Sequence, residues 1–357
     1  MFSTAQIAVL LALHLELTKK SDYRMSLKEL TKEIELTLSQ AETKGFSGLI
    51  LLRVKNRHLL TKAYGWADRQ AKKRMTVNTG IEIGSIVKPI TLAAILKLAE
   101  MGKLNMQDTL EKHLPNVPKD KRSITLDMIA RHQAGFPDLF GGDYQLVERE
   151  WLVNKILNCR LIAKPGTKEK YSNSGYSLLA AMIEIESGMP YEAYVRKAVL
   201  EPAGVEQIGY ILAGWKNEDL AVGYRRFGLR WGTPLDHHWL KDGPGWNLRG
   251  NGGMLATAEE LSAWYEAVWD GKVLKEDARA QFLSISASES KRVGGKALGH
   301  MGGNGIFNCL QVCYFMPGMY LTLFSSVADQ KAETLYKKIR EQAVAIAQMI
   351  PGDGLTQ

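Results

Sequence analysis

Cysteine is scarce, with three in 357 residues, too few for a disulfide framework. Cys309 and Cys313 stand four apart in a strand-like run, which separates them by about 13 Å, beyond the reach of a disulfide. No window of eighteen apolar residues occurs, so no membrane-spanning helix is predicted. A basic stripe is also missing. Lys plus Arg number 46 against 38 Asp plus Glu, a net charge of +8, but the charges lie singly or in pairs such as Arg225-Arg226. That is not the footprint of a nucleic-acid binder. There is no His-Glu-x-x-His, no Cys-x-x-Cys pair and no EF-hand loop, so no metal site is expected. Neither the phosphate-binding Gly-x-x-x-x-Gly-Lys-Ser/Thr nor the hydrolase Gly-x-Ser-x-Gly is present. The glycine clusters at 250–253 and 302–305 match no nucleotide loop. No organic cofactor is expected either.

What remains is an ordinary globular composition, 45% hydrophobic and 24% charged. The length suits one large domain or two lobes sharing a cleft. Residues 1–24 read as a leader. Ile7 to Leu13 is apolar like the core of an export signal, but no Lys or Arg precedes it and no small-x-small site follows before Lys19-Lys20. A leader helix and a degraded export signal both stay open.

Met25 to Lys44 carries Leu27, Leu30, Ile34, Leu36 and Leu38 at roughly helical spacing and ends at Gly45. Phe46 to Val54 and His58 to Trp66 flank Lys55-Asn56-Arg57 as a β-hairpin. A helix is expected from Ser85 to Met101. From about Leu104 to Gly250, short helical stretches alternate with prolines and glycines. Four tryptophans, Trp215, Trp231, Trp239 and Trp246, fall late in this stretch; they suit a wall beside a cleft, or core or lid packing. Strand signal returns at Ile306 to Phe315 and Tyr320 to Val327, around the turn Met316 to Met319. A last helix runs from about Gln330 to Ile350. The predicted fold class is α+β: an antiparallel sheet built from both chain ends and flanked by helices, plus a mainly helical lobe inserted in the middle. Residues 25–350 then form a single catalytic domain, with an α/β lobe at about 25–103 and 251–350 and a helical lobe at about 104–250.

Ser85-Ile-Val-Lys88 begins an apolar helix. Its spacing of three puts both side chains on one face. A serine hydroxyl needs a base to become a nucleophile, and a lysine can serve when burial or nearby charge lowers its pKa. The helix start also offers backbone N–H groups to a developing oxyanion. Pro89 is tolerated there. The same spacing recurs at Ser288 to Lys291, but in a polar, Ser-rich setting that reads as a solvated loop. Tyr171 precedes a predicted helix, where its phenol can shuttle protons beside a lysine. Asn173 is placed to hold that lysine or a substrate amide; a capping Ser/Asn pair beside a packed tyrosine fits as well. His300-Met301-Gly302-Gly303 suits a strand edge along which a substrate lies, or a glycine-rich turn with a structural histidine.

Ser-x-x-Lys, Tyr-Ser-Asn and His-x-Gly, in this order and at these separations, resemble the penicillin-recognising serine enzymes. The branch is that of class C β-lactamases, D-stereospecific peptidases and β-lactamase-like carboxylesterases. Phe46 to Ile50, Met101 to Leu104 with Asp108, the run from Ile124 through His132, Gly135 and Asp138, and Gly252 to Leu261 resemble flanking family segments. The likeness covers about residues 45 to 330. It implies that Ser85 is the acylated nucleophile, Lys88 its base partner and Tyr171 the proton shuttle. Asn173, His300 and Gly302 would bind substrate, and the N–H groups of Ser85 and Gly303 would form the oxyanion hole. β-Lactamases proper carry Lys-Thr-Gly where this chain has His300-Met301-Gly302. A mostly neutral histidine holds a substrate carboxylate less well than lysine, and Met301 lacks the threonine hydroxyl.

The expected activity is therefore a serine hydrolase cleaving an ester, amide or D-peptide, carboxylesterase-like or D-amino-acid peptidase-like, with weak or no β-lactamase activity. A β-lactamase proper, a catalytically silent penicillin-binding scaffold and an acyltransferase on the same site are the alternatives. The expected partner is a small-molecule substrate rather than nucleic acid, the expected state a monomer or weak oligomer. The resemblance implies an extracytoplasmic location; the leader leaves a cytoplasmic one open.

Overall fold

The structure is a computed structural model, and it describes residues 26–54, 57–290, 297–314, 318–327 and 331–349. The leader at 1–24 lies outside the described residues, as do residues 55 and 56 of the first hairpin turn and Met316 and Pro317 of the second. The helices that build and frame the site are α1 (Leu27–Glu42), α2 (Val87–Glu100), α3 (Leu126–Ala130), α4 (Arg149–Asn158), α5 (Asn173–Ser187), α6 (Tyr191–Val195), α7 (Ala258–Trp269), α8 (Glu276–Ser290) and α9 (Lys331–Met349).

Local chemistry starts α1. Ser26 Oγ accepts the Glu29 N–H at 3.2 Å, and Glu29 Oε2 accepts the Ser26 N–H at 2.7 Å, which satisfies two otherwise orphaned donors. The helix buries Leu30, Ile34 and Leu38. Leu36 was expected on that face and is instead 57% exposed. It lies two residues past Ile34, about 200° around the helix.

Five strands form one antiparallel sheet: β1 (Gly48–Val54), β2 (Arg57–Tyr64), β3 (Ala297–Gly303), β4 (Asn308–Tyr314) and β5 (Met319–Ser325), in the order β2-β1-β5-β4-β3. Pairing of β1 with β5 joins the two ends of the chain, Gly48 opposite Ser325 and Val54 opposite Met319. β1 is buried on both faces, so it reads as a continuous apolar run rather than an alternating one. On the outer face Leu310, Val312, Leu321 and Leu323 pack against Leu30, Ile34 and Leu38 of α1 and Ile339 and Ile346 of α9. The inner face carries Cys309, Cys313, Tyr320 and Phe324, whose core continues without a break into the helical middle. Both strand cysteines are buried and free.

Of the two readings open for 300–303 the strand edge holds, and one other expectation changes. β3 is a full strand at the sheet edge, its residues His300 and Gly302 paired with Gln311 and Cys309. Residues 288–290, expected in a solvated loop, belong to the end of α8, because Phe282 and Ile285 anchor that helix in the core; Lys291 lies outside the described residues.

β3 ends against the turn that leads into α2. Gly84 takes φ +51°, and a Cβ there would stand 2.4 Å from the Gly303 amide nitrogen. A Cβ on Gly302 would stand 2.0 Å from the Ile83 carbonyl oxygen and 2.9 Å from the Ser85 amide nitrogen. Only glycine lets two backbones approach this closely. Gly302→Ala is therefore expected to destabilise the fold by at least about 2 kcal/mol, since the colliding atoms are backbone and cannot rotate away. Urea unfolding measures this, and an unchanged midpoint would mean that the two segments are not in contact.

Candidate active site

α2 is apolar nearly all round. Eleven of its fourteen residues are buried, and Lys88 is the one charged residue among them. A short 3-10 turn, Gly84–Ile86, precedes it and carries Ser85. Pro89 sits in the first turn of α2, where its missing N–H has no intrahelical partner to lose.

Lys88 is 1% exposed. Its Nζ donates to Ser85 Oγ at 3.0 Å, to Asn173 Oδ1 at 2.6 Å and to the Asn251 carbonyl at 2.9 Å. An ammonium has three donors, and these acceptors match them in number. The rings of Tyr171 and Tyr176 stand over the same nitrogen, at 4.8 and 5.8 Å, an arrangement that favours a cation.

Tyr171 OH lies 2.7 Å from Ser85 Oγ and 3.3 Å from Asn173 Oδ1. The directions follow from the donors. Lys88 donates to Ser85, so the serine proton is free to point at the phenol oxygen, and the phenol proton at Asn173 Oδ1. A proton path out of Ser85 therefore runs toward Tyr171. The phenol itself is 46% exposed, at the mouth of the site.

Tyr171 and Asn173 are held by the start of α5 and by the segment from His132 to Asp138. Ser172 caps α5, its hydroxyl accepting the Gly175 N–H at 3.0 Å. Asp138 Oδ1 accepts from both the backbone N–H and the side-chain amide of Asn173, each at 2.9 Å. That orients the amide oxygen toward Lys88, one of the two partners expected of Asn173. His132 is buried, takes φ +57° and lays its ring 4.7 Å from that of Tyr171. Its Nδ1 accepts the Ser172 N–H at 3.2 Å.

The glycine cluster at 250–253, which matches no nucleotide loop, carries the Asn251 carbonyl to Lys88. Thr91 donates to Gly250 O at 2.6 Å, Ser177 to Arg249 O at 2.8 Å and Tyr210 to Gly252 O at 2.8 Å. Arg249 is itself buried and bound by Asp242 at 2.7 and 2.8 Å.

Of the residues named from sequence, the structure brings Ser85, Lys88, Tyr171 and Asn173 together and sets Gly302 and Gly303 against the turn bearing Ser85. His300 is buried, at 4% exposure, with Nδ1 2.8 Å from the hydroxyl of Tyr265 on α7 and the two rings stacked. Met301, on the opposite face of β3, is 49% exposed. The tryptophans divide: Trp246 is core, at 3% exposure, whereas Trp231 joins Tyr144, His237 and Phe307 in an aromatic stack. Asp138 and Asn251 were not singled out as site residues from sequence. Asp138 ends a recognisable His-x-x-Gly-x-x-Asp segment; the Asn251 contribution is a backbone carbonyl, which leaves no signal.

Among the described residues no group of three or more His, Cys, Asp or Glu could hold a metal ion, and no helix is long and apolar enough to cross a membrane.

A family model described as Beta-lactamase matches residues 35–324. The chain is 28% identical over 327 residues to PbpX of Bacillus subtilis (strain 168), assigned as a penicillin-binding protein, covering 91% of this chain and 78% of that one. It is 28% identical over 228 residues to Protein flp of Staphylococcus aureus (strain NCTC 8325 / PS 47), of which it spans 44%, using 61% of its own length. Solved structures share the fold at lower identity. A beta-lactamase/D-alanine carboxypeptidase from Pseudomonas syringae superposes with a TM-score of 0.72 at 14% identity, covering 90% of this chain and 99% of that one. A D-amino acid amidase from Ochrobactrum anthropi SV3 does so with a TM-score of 0.71 at 19% identity, covering 89% and 97%. The α+β sheet-and-helix architecture and the extent of the family match agree, and the chain belongs to the beta-lactamase family.

Proposed function

We propose that this chain is a serine acyl hydrolase working through a Ser85 acyl-enzyme, on esters or D-amino-acid amides and peptides in preference to β-lactams. One observation carries the reading: Ser85 Oγ sits within hydrogen-bond distance of both the Tyr171 phenol and the Lys88 amine, 2.7 and 3.0 Å away. Ser85 Oγ attacks the substrate carbonyl carbon. Tyr171, entering this step as a phenolate held by the Lys88 ammonium, takes up the serine proton, and the carbonyl oxygen becomes an oxyanion between the amides of Ser85 and Gly303. Collapse expels the alcohol or amine, which receives the proton by way of the exposed phenol. Water then attacks the acyl-enzyme carbonyl, the same pair takes its proton, and the acid leaves as Ser85 regains its hydroxyl.

The preference follows from the third motif. The side chain of His300 packs on Tyr265, and Met301 has no donor. Neither offers a substrate carboxylate the cation and hydroxyl of Lys-Thr-Gly. The chain spans 78% of PbpX and less than half of Protein flp, so the substrate class rests on this local chemistry.

Turnover of short-chain esters, a D-alanine amide and nitrocefin by wild type and Ser85→Ala tests the reading. Ser85→Ala is expected to lose at least about a thousandfold in kcat with an unchanged circular dichroism spectrum, and the wild type to turn over the ester or amide faster than nitrocefin. Retained turnover in Ser85→Ala would end the proposal.

Lys88→Ala, Tyr171→Phe and the double variant are expected to lose similar activity, because the two groups handle one proton. Losses that multiply would show that they act in separate steps.

A further inference from the structure

Glu82 lies three residues before Ser85, on a short strand whose neighbour across the pairing is Leu255. It is 1% exposed. Its Oε2 accepts two hydrogen bonds, from Tyr144 OH at 2.6 Å and from Asn304 Nδ2 at 2.8 Å. Asn304 directly follows Gly303. Its own Oδ1 accepts the N–H groups of Ile306 and Phe307, both at 2.9 Å, and so shapes the turn into β4. One carboxyl oxygen thus joins the segment that delivers Ser85 to the turn that delivers Gly303. Tyr144 adds a third anchor. Its ring packs on His237 at 4.4 Å and Trp231 at 5.4 Å, and Trp231 packs on Phe307 of the same turn at 5.6 Å.

We propose that Glu82 is a positioning residue for acyl transfer, holding the Gly303 amide in register with the Ser85 amide through Asn304. This rests on the acyl-enzyme reading above and adds a residue to it. The second oxygen, Oε1, is buried and has no hydrogen-bond partner, so a charge on this carboxyl would be only half answered. The groups facing Glu82 bear this out. Tyr144 and Asp143 face it from the 138–147 loop and Asn304 from the turn, with His237 behind Tyr144; the paired strand contributes only Leu255 and Ala256. No cation is among them. Burial, the largest cause, raises Glu82 from 4.5 to about 7; the hydrogen bonds from Tyr144 and Asn304 oppose this and the charge of Asp143 adds to it. Ionisation would put a negative charge beside the place where the oxyanion develops, and would oppose it.

The folded chain holds the Glu82 proton more tightly than the unfolded chain. Glu82 therefore contributes stability that is full below the unfolded value and lost as pH rises through the folded one, the window 4.5 to about 7.

The test uses Glu82→Gln, Glu82→Ala, Asn304→Ala and the Glu82→Ala/Asn304→Ala double variant, with ester kinetics and melting temperature from pH 5 to 9. Glu82→Ala and Asn304→Ala are expected to lose about tenfold or more in kcat with KM little changed, and the double variant to be no worse than either. Glu82→Gln, which keeps an acceptor oxygen and never ionises, is expected to restore most of the rate, to lack the alkaline fall of the wild type near neutrality, and to melt with a flatter pH dependence. If Glu82→Ala fails to fold, Glu82→Gln and Asn304→Ala still decide the matter. Wild-type kcat and pH profile in Asn304→Ala and Glu82→Gln would overturn the inference, as would Glu82→Gln falling as far as Glu82→Ala. Ser85→Ala run alongside separates the two levels: if it turns over like wild type, the acyl-enzyme reading fails; if it is dead while Glu82 and Asn304 variants match wild type, this inference alone fails.

Discussion

A lysine ammonium buried to 1% exposure in an otherwise apolar helix is the constraint on which the site depends. Removing such a charge from water is tolerable only when its donors are matched and its field is answered. The acceptors come from three separated parts of the chain: Ser85 beside Lys88 itself, Asn173 at the start of α5, and the Asn251 carbonyl. Each must arrive at the same point for Lys88 to stay charged and dry. The fold is thereby obliged to bring hydroxyl, amide and phenol together before any substrate is present, and this preorganisation is what acyl transfer needs.

The same demand propagates outward. A backbone carbonyl serves as a lysine partner only if its segment cannot drift. The carbonyls of Arg249, Gly250 and Gly252 are each fixed by a buried hydroxyl, from Ser177, Thr91 and Tyr210, and Arg249 is pinned by Asp242. Buried polar groups of this kind are costly singly and rigid when all are satisfied. On the other side, Asp138 fixes the Asn173 amide so that its oxygen, not its nitrogen, meets the lysine. A long network of hydrogen bonds, the Arg249–Asp242 ion pair among them, thus supports the Lys88 ammonium.

How much of this could be seen in the sequence depended on whether function sat in a side chain with a spacing rule. Ser85 and Lys88 share a helix face by count alone, and Tyr171 and Asn173 flank a helix start that capping chemistry marks. The sheet was legible for the same reason, since β1, β4 and β5 are mostly apolar runs rich in β-formers, bounded by turn residues. Asn251 contributes a carbonyl that any residue could supply, so its position among glycines carried no message. Glu82 carried no signal in the sequence, because the partners that define it, Tyr144 and Asn304, are 62 and 222 residues away. Leu36 and the serines of α8 misled for the converse reason: local composition suggested burial for one and a loop for the others, and packing decided otherwise. His300 was read by its place in a motif, while its environment is set by Tyr265, which no local pattern announces.

The balance of charge around the cleft bears on what can enter it. Lys88 is committed to internal acceptors. Asp138 faces the same amide, and Asp143 is near enough for Lys88 to lower its pKa while burial, the larger cause, raises it. Glu82 lies behind. A substrate with a free carboxylate beside its scissile bond would approach acidic groups with no uncommitted cation at the third motif to receive it. Field repulsion of this kind acts before contact and is sharpened by low-dielectric walls. A neutral ester avoids it, and a substrate with an ammonium near the carbonyl would be drawn in. Selection against carboxylates would then need no dedicated binding residue. It would follow from leaving a lysine out of β3 while keeping the acids that hold the rest of the site in place.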